Sequence, residues 1–186
     1  MLILIQKGRN MSKFPHKNSE TLRQYFREKN LEQLIEINQS YGPHFEKLEN
    51  AIDRLTQQIS TQKGKLSGFL KEQEKISQNY GEIVIEQERF ENNRASIMSD
   101  SCTGAERYLA LTALGMSPLD CYHSNSRSLQ NEIDTTSKRL NELNSYLAFW
   151  KNQRSKAFSE LHILNSVIEE KRKEFLVDHQ FTLSSN

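Results

Sequence analysis

Cys102, Cys121 and His123, with Asp100 and Asp120 close by in sequence, are the residue types from which a thiol nucleophile or a zinc site is built. A nucleophilic thiol needs a base within reach, and zinc needs about four ligands. Cys121 and His123 are two positions apart, so on a helix they do not share a face. No Cys-x-x-Cys or His-x-x-x-His spacing is present. A Cys102–Cys121 disulfide would need an oxidising compartment. The reading favoured by these spacings is two ordinary thiols, no metal, no cofactor and no enzyme; a cysteine-dependent enzyme is the third-ranked alternative. His16, His44, His162 and His179 stand at polar or boundary positions and read as surface histidines. Gly64 and Gly68 lack the strand–loop–helix setting of a phosphate-binding loop.

The elements that would position these residues are written in a 4-3 hydrophobic rhythm. One stretch runs from Phe45 through Leu48, Ile52, Leu55, Ile59, Gln62 and Leu66 to Ile97. A second runs from Leu119 through Leu129, Ile133, Leu140, Trp150, Arg154, Ala157, Leu161 and Leu164 to Phe175. Such heptads specify long helices that bury a narrow seam against a partner. The fold class expected is all-α, an elongated antiparallel helical hairpin (a coiled coil) with a short N-terminal helix and a short helix at the tip.

The chain divides accordingly. Residues 1–17 form an N-terminal arm and 18–41 a helix capped by Asn18 or Ser19. Its apolar stripe is Leu22, Tyr25, Phe26, Leu31, Leu34 and Ile35, with Ile37 off it. Tyr41-Gly42-Pro43 ends that helix, with glycine as the left-handed cap. Residues 42–98 form the first long helix and 99–117 the tip, where Thr103 caps a short helix ending at Gly115. Ser117-Pro118-Leu119-Asp120 opens the second long helix, 118–177. Residues 178–186 are a tail. Each long helix is about 55 residues, or roughly 80 Å at 1.5 Å per residue.

A short connector favours an antiparallel pairing. Residues whose numbers sum to 216 then face each other. Ile59 meets Ala157, Tyr80 meets Thr136, Leu66 meets Trp150 and Leu55 meets Leu161. Gln62 and Arg154 form one polar layer that fixes the register. A slide by one heptad sets Arg154 against Phe69, which strands a charge. Phe149, Ile163 and Val167 lie off the seam and are placed to receive the N-terminal helix. Two chains pairing into a rod, or two hairpins into a four-helix bundle, would satisfy the same pattern; Phe149 and Phe158, outside the seam, favour a homodimer as the alternative.

Composition suits this architecture. Apolar residues are 35% and charged residues 26%, with a net charge of +1. That leaves no global electrostatic case for nucleic acid or an anionic membrane. Residues 1–41 carry seven Lys/Arg against four Asp/Glu, an excess too diffuse for a binding patch. No apolar run is long enough to span a bilayer. Met-Leu-Ile-Leu-Ile is cut short by Gln6 and Lys7 and is no signal-peptide core. Lys7-Gly8-Arg9-Asn10 is encodable by a purine-rich stretch like a bacterial ribosome-binding site, so Met1–Asn10 is expected to lie outside the native protein, which then starts at Met11 in a bacterium.

The most apolar short stretch lies at the tip: Tyr108, Leu109, Leu111, Leu114 and Met116. It reads either as a cap folded back over the hairpin end or as a contact for a protein partner. At the other end, Glu169, Glu170 and Glu174 are followed by Leu183-Ser184-Ser185, with Lys171-Arg172-Lys173 between the acids. Over about eighteen residues this resembles the C-terminal signal of substrates of the Dot/Icm type IV secretion system. The resemblance implies a bacterial effector delivered into a host cell without a cleaved leader and acting on host proteins. The first functional expectation remains a cytoplasmic, non-enzymatic coiled-coil protein that presents helical surface to another protein.

Overall fold

The computed structural model describes residues 13–14 and 18–183, with side chains of the last helix through Leu176. Among the described residues the fold is all-helical, without a strand. The elements are α1 (Ser19–Arg27), α2 (Leu31–Gln39), α3 (Tyr41–Gln78), α4 (Tyr80–Ser99), α5 (Gly104–Leu114) and α6 (Pro118–Leu183). The expected start at Met11 lies outside the described residues, as do Pro15, His16 and Leu183-Ser184-Ser185 apart from the backbone of Leu183.

Four boundaries differ from those expected. The N-terminal helix is two helices. Asn18 caps α1, its Oδ1 accepting from Thr21 N–H at 2.8 Å. Asn30 then caps α2, accepting from Gln33 N–H at 2.8 Å while the Gln33 side chain accepts from Asn30 N–H at 3.2 Å. That reciprocal box offers the backbone a fresh start, so the chain turns at Lys29 instead of continuing. The restart also re-phases the apolar stripe, which brings Ile37 against the core.

Tyr41-Gly42-Pro43 does not end a helix; it begins α3. Proline sits in the first turn, where its missing N–H has no intrahelical role. Gly42 is not left-handed. Among the described residues the positive φ belongs to Gly115, at 72°, which ends α5 as expected.

The first long helix is interrupted at Asn79. The Asn79 N–H still donates to Lys75, but its carbonyl accepts from both Glu82 and Ile83. Asparagine and the nearby Gly81 are both poor helix residues, so the ladder re-forms here at little cost. The last helix, conversely, continues to Leu183, past the end expected near residue 177.

The chain forms two compact units: one holds the residues up to Gln58 together with Leu143 onward, the other Ile59–Glu142. In the first unit α1 and α2 cover α3 and α6. Its core is Leu22, Phe26, Leu34, Tyr41, Leu48, Ala157, Leu164, Val167 and Ile168. Ile163 packs against this core and Val167 is fully buried within it, whereas Phe149 is 41% exposed and does not receive the N-terminal helices. Phe14 joins by stacking on Tyr25 and Phe26, with ring centroids 5.4 Å from each. Arg23 and Arg27 both bond the Glu170 carboxylate, at 2.9 and 3.0 Å, tying α1 to α6. The second unit has a thinner interior of Ile59, Leu129, Ile133, Thr136 and Leu140.

The register differs from the expected one. In the first unit Phe45 stacks on Phe158 at 4.5 Å, Arg154 bonds Glu49 at 3.1 Å and Tyr41 bonds Glu160 at 3.0 Å. In the second, Gln73 bonds Gln130 at 2.9 Å and Tyr80 packs on Tyr122 at 5.1 Å. Numbers on one helix rise as those on the other fall, so within each unit the paired helices run in opposite senses. The paired numbers sum to between 201 and 203, against the expected 216. The offset is close to two heptads. A heptad seam is nearly unchanged by such a slide, so periodicity alone does not choose between the two.

Candidate partner-contact surface

The tip is built by successive caps. Asp100, in extended conformation, follows α4. Thr103 caps α5: its hydroxyl accepts from Glu106 N–H at 3.4 Å, and its own N–H and hydroxyl donate to Glu106 Oε2 at 2.9 and 2.7 Å. Those two donors hold the Glu106 carboxyl below the usual carboxylate range. Gly115 ends the helix, and Ser117 starts α6, its hydroxyl accepting from Asp120 N–H at 3.2 Å. Gln87 of α4 accepts from Leu119 N–H at 3.2 Å, which joins the start of α6 to α4. The Arg107 guanidinium donates to the Asp100 carbonyl at 2.9 Å.

The tip helix packs against α4 and divides its apolar residues by face. Arg107, Ala110, Leu111 and Leu114 are half-buried, at the i, i+3, i+4, i+7 spacing of one helical stripe. Tyr108 and Leu109 point outward, 70% and 66% exposed. Met116 and Met98 are also exposed. The five tip residues singled out in sequence therefore do two jobs: Leu111 and Leu114 seat the helix, while Tyr108, Leu109 and Met116 present apolar surface. Neither a cap nor a free knob describes the helix fully.

Gln62 and Arg154, expected to form one polar layer, belong to different units. Arg154 makes an ion pair with Glu49, and Gln62 is half-buried in the other unit. Arg154 lies near the surface, its side chain 36% exposed. A long arginine can lay its stem over apolar residues and keep its head wet. The penalty that had been assigned to a charge in the seam therefore does not arise.

Cys102 is half-buried, Cys121 is exposed, and both are free thiols. His123 is exposed with its ring against Tyr122. No group of three or more His, Cys, Asp or Glu among the described residues is arranged to hold a metal ion. Of the acidic residues near the C-terminus, Glu170 is bound by Arg23 and Arg27 of α1, and Glu169 pairs with Arg172 on the exposed face of α6. The side chain of His179 lies outside the described residues, and His162 is exposed.

Sequence reasoning missed a polar cluster in the first unit. The Tyr41 hydroxyl donates to Glu160 Oε2 at 3.0 Å, both side chains being buried. Burial, reinforced by the Glu160 charge and hydrogen bond, pushes the Tyr41 phenol far above its usual range. The Lys13 ammonium lies 4.7 Å from the Tyr41 ring centroid and donates to the Ser40 hydroxyl. Burial lowers the Lys13 pKa, and Glu160 opposes that shift. His44, read as a surface residue, is half-buried between Tyr41 and Phe45. Burial lowers its pKa, Lys13 and Lys47 add to the effect, and Glu160 works against it. The available clue was weak: a tyrosine and a histidine three apart at a helix start, with the acid 119 residues away.

Comparison with known proteins finds no match among family models, curated proteins or solved structures. Among the described residues no helix is long and apolar enough to cross a membrane.

Proposed function

We propose that the chain is a non-enzymatic helical-hairpin protein that binds another protein, with the outward face of α5 as the contact. The antiparallel pairing within each unit supports a coiled-coil hairpin as the frame. The observation that carries the binding reading is the exposure of Tyr108, Leu109, Met98 and Met116 around a helix held in place by its own caps. Large apolar side chains left outward on a well-seated helix are a recurring feature of protein contacts. A tyrosine and two methionines suit such a role, since tyrosine brings area at low entropic cost and methionine adapts its shape.

Site-specific photo-crosslinking tests this reading. A photoreactive residue replacing Tyr108 gives one discrete adduct in cells that express the protein naturally, and Leu109→Lys abolishes it without loss of helix content by circular dichroism. The same probe at exposed Glu32 of the first unit gives none. An adduct that is a second copy of the chain assigns the surface to a homodimer. Equal or absent crosslinking at both positions overturns the proposal.

A further inference from the structure

We propose that Lys13 and Phe14 form a latch on the first unit that opens on acidification, with His44 as its proton sensor. Two attachments close the latch. The Phe14 ring packs edge-on against Phe26 and tilted against Tyr25. The Lys13 ammonium sits over the Tyr41 ring and bonds Ser40. The sensor lies beside the second attachment, since His44 packs against the same Tyr41 ring, centroids 6.1 Å apart. Its Nε2 is buried and has no hydrogen-bond partner.

The groups facing His44 set the sign. Lys13 of the arm and Lys47 of α3 oppose a positive imidazole; Glu160 of α6 favours one but already accepts the Tyr41 hydroxyl. Tyr41 stays neutral. With burial and two cations against one anion, the docked state disfavours imidazolium. His44 therefore binds its proton more readily with the latch open. Docking is at full strength above the ordinary histidine value of 6.5. It weakens as pH falls from there through the lowered His44 value, and levels off below it. Of the neighbouring cations, Lys13 is the one on a short segment outside the helices, so its departure relieves the repulsion without breaking a helix. Opening would uncover Tyr25 and Phe26 and bare an aromatic face.

Fluorine NMR on the full chain carrying 4-fluorophenylalanine tests this, with Phe14→Leu assigning the resonance and the His44 ring proton followed in parallel. The Phe14 signal is expected to move from its stacked position toward the free position as pH falls below 6.5, tracking the His44 titration, while circular dichroism shows the helices retained. In His44→Gln it stays put over that range. In Lys13→Met, where one repelling charge is gone, the His44 midpoint moves up toward its ordinary value. A Phe14 signal unmoved through the His44 titration, or moving equally in His44→Gln, overturns the latch; so does a His44 midpoint indifferent to Lys13→Met.

Discussion

The two units bury side chains to different depths. In the first, Tyr41, Phe26, Leu22, Leu34, Leu48, Leu164 and Val167 are almost wholly enclosed. In the second, the most buried residues, Ile59, Thr136, Leu140, Leu129 and Ile133, keep 6–8% exposure, and neither α4 nor α5 encloses a side chain. The difference follows from the number of layers. Two helices alone cover one stripe of each other, whereas α1 and α2 lay further surface over α3 and α6. The same heptad pattern thus yields a real core where short helices overlie it and a thin seam where they do not. Along the thin seam, α4 leaves large apolar side chains such as Val84 and Ile85 exposed.

The contrast predicts unequal responses to core truncation. Phe26→Ala is expected to destabilise the first unit by about 3–5 kcal/mol, since it empties an enclosed site and removes the ring on which Phe14 and Tyr25 stack. Ile133→Ala in the second unit is expected near the lower end of the range for such changes, about 2 kcal/mol, because its surroundings are already close to water. Urea unfolding followed by circular dichroism measures both. Equal losses would mean that the two interiors are equivalent and would break the comparison.

A smaller effect tests the polar cluster. Tyr41→Phe keeps the ring and removes the donor to Glu160. The expected loss is about 1–3 kcal/mol, that of a buried acceptor deprived of one partner. A change under about half a kcal/mol would show that the hydroxyl contributes nothing to the first unit.

The smallest effect has the opposite sign. Gly64 lies inside α3 with nothing within 4 Å of a Cβ placed there. Gly64→Ala is expected to stabilise by about 0.5–1 kcal/mol through helix propensity alone. A destabilisation would mean that close packing occupies that side of the helix.

How far these features were legible in sequence depends on how local they are. The caps at Asn18, Thr103 and Ser117 and the stop at Gly115 are short-range chemistry, and they were readable. The restart at Asn30 is equally local, but an apolar stripe continuing on either side concealed it. The Asn79 interruption was concealed because two poor helix residues in a long helix are ordinarily tolerated. The register was invisible for a different reason: a periodic seam has near-equivalent solutions two heptads apart, and Glu49, the partner that satisfies Arg154, lies off the seam. Tyr41 read as part of a turn, and nothing local marked Glu160 as its partner, because only the fold brings the two together. At the tip, composition marked Tyr108 through Met116 as apolar, but packing against α4 decided which of them face out.

The pairing of α3 with α6 in the first unit is what its core depends on. A distance measured by pulsed electron resonance between spin labels at Phe45→Cys and Phe158→Cys, with Cys102 and Cys121 replaced by serine, tests it most directly. The rings at these positions lie 4.5 Å apart across α3 and α6, so the two labels should give a short distance. The register in which numbers sum to 216 would move Phe158 along the helix by about 20 Å, the rise of thirteen residues, and a distance longer by that amount would contradict the account.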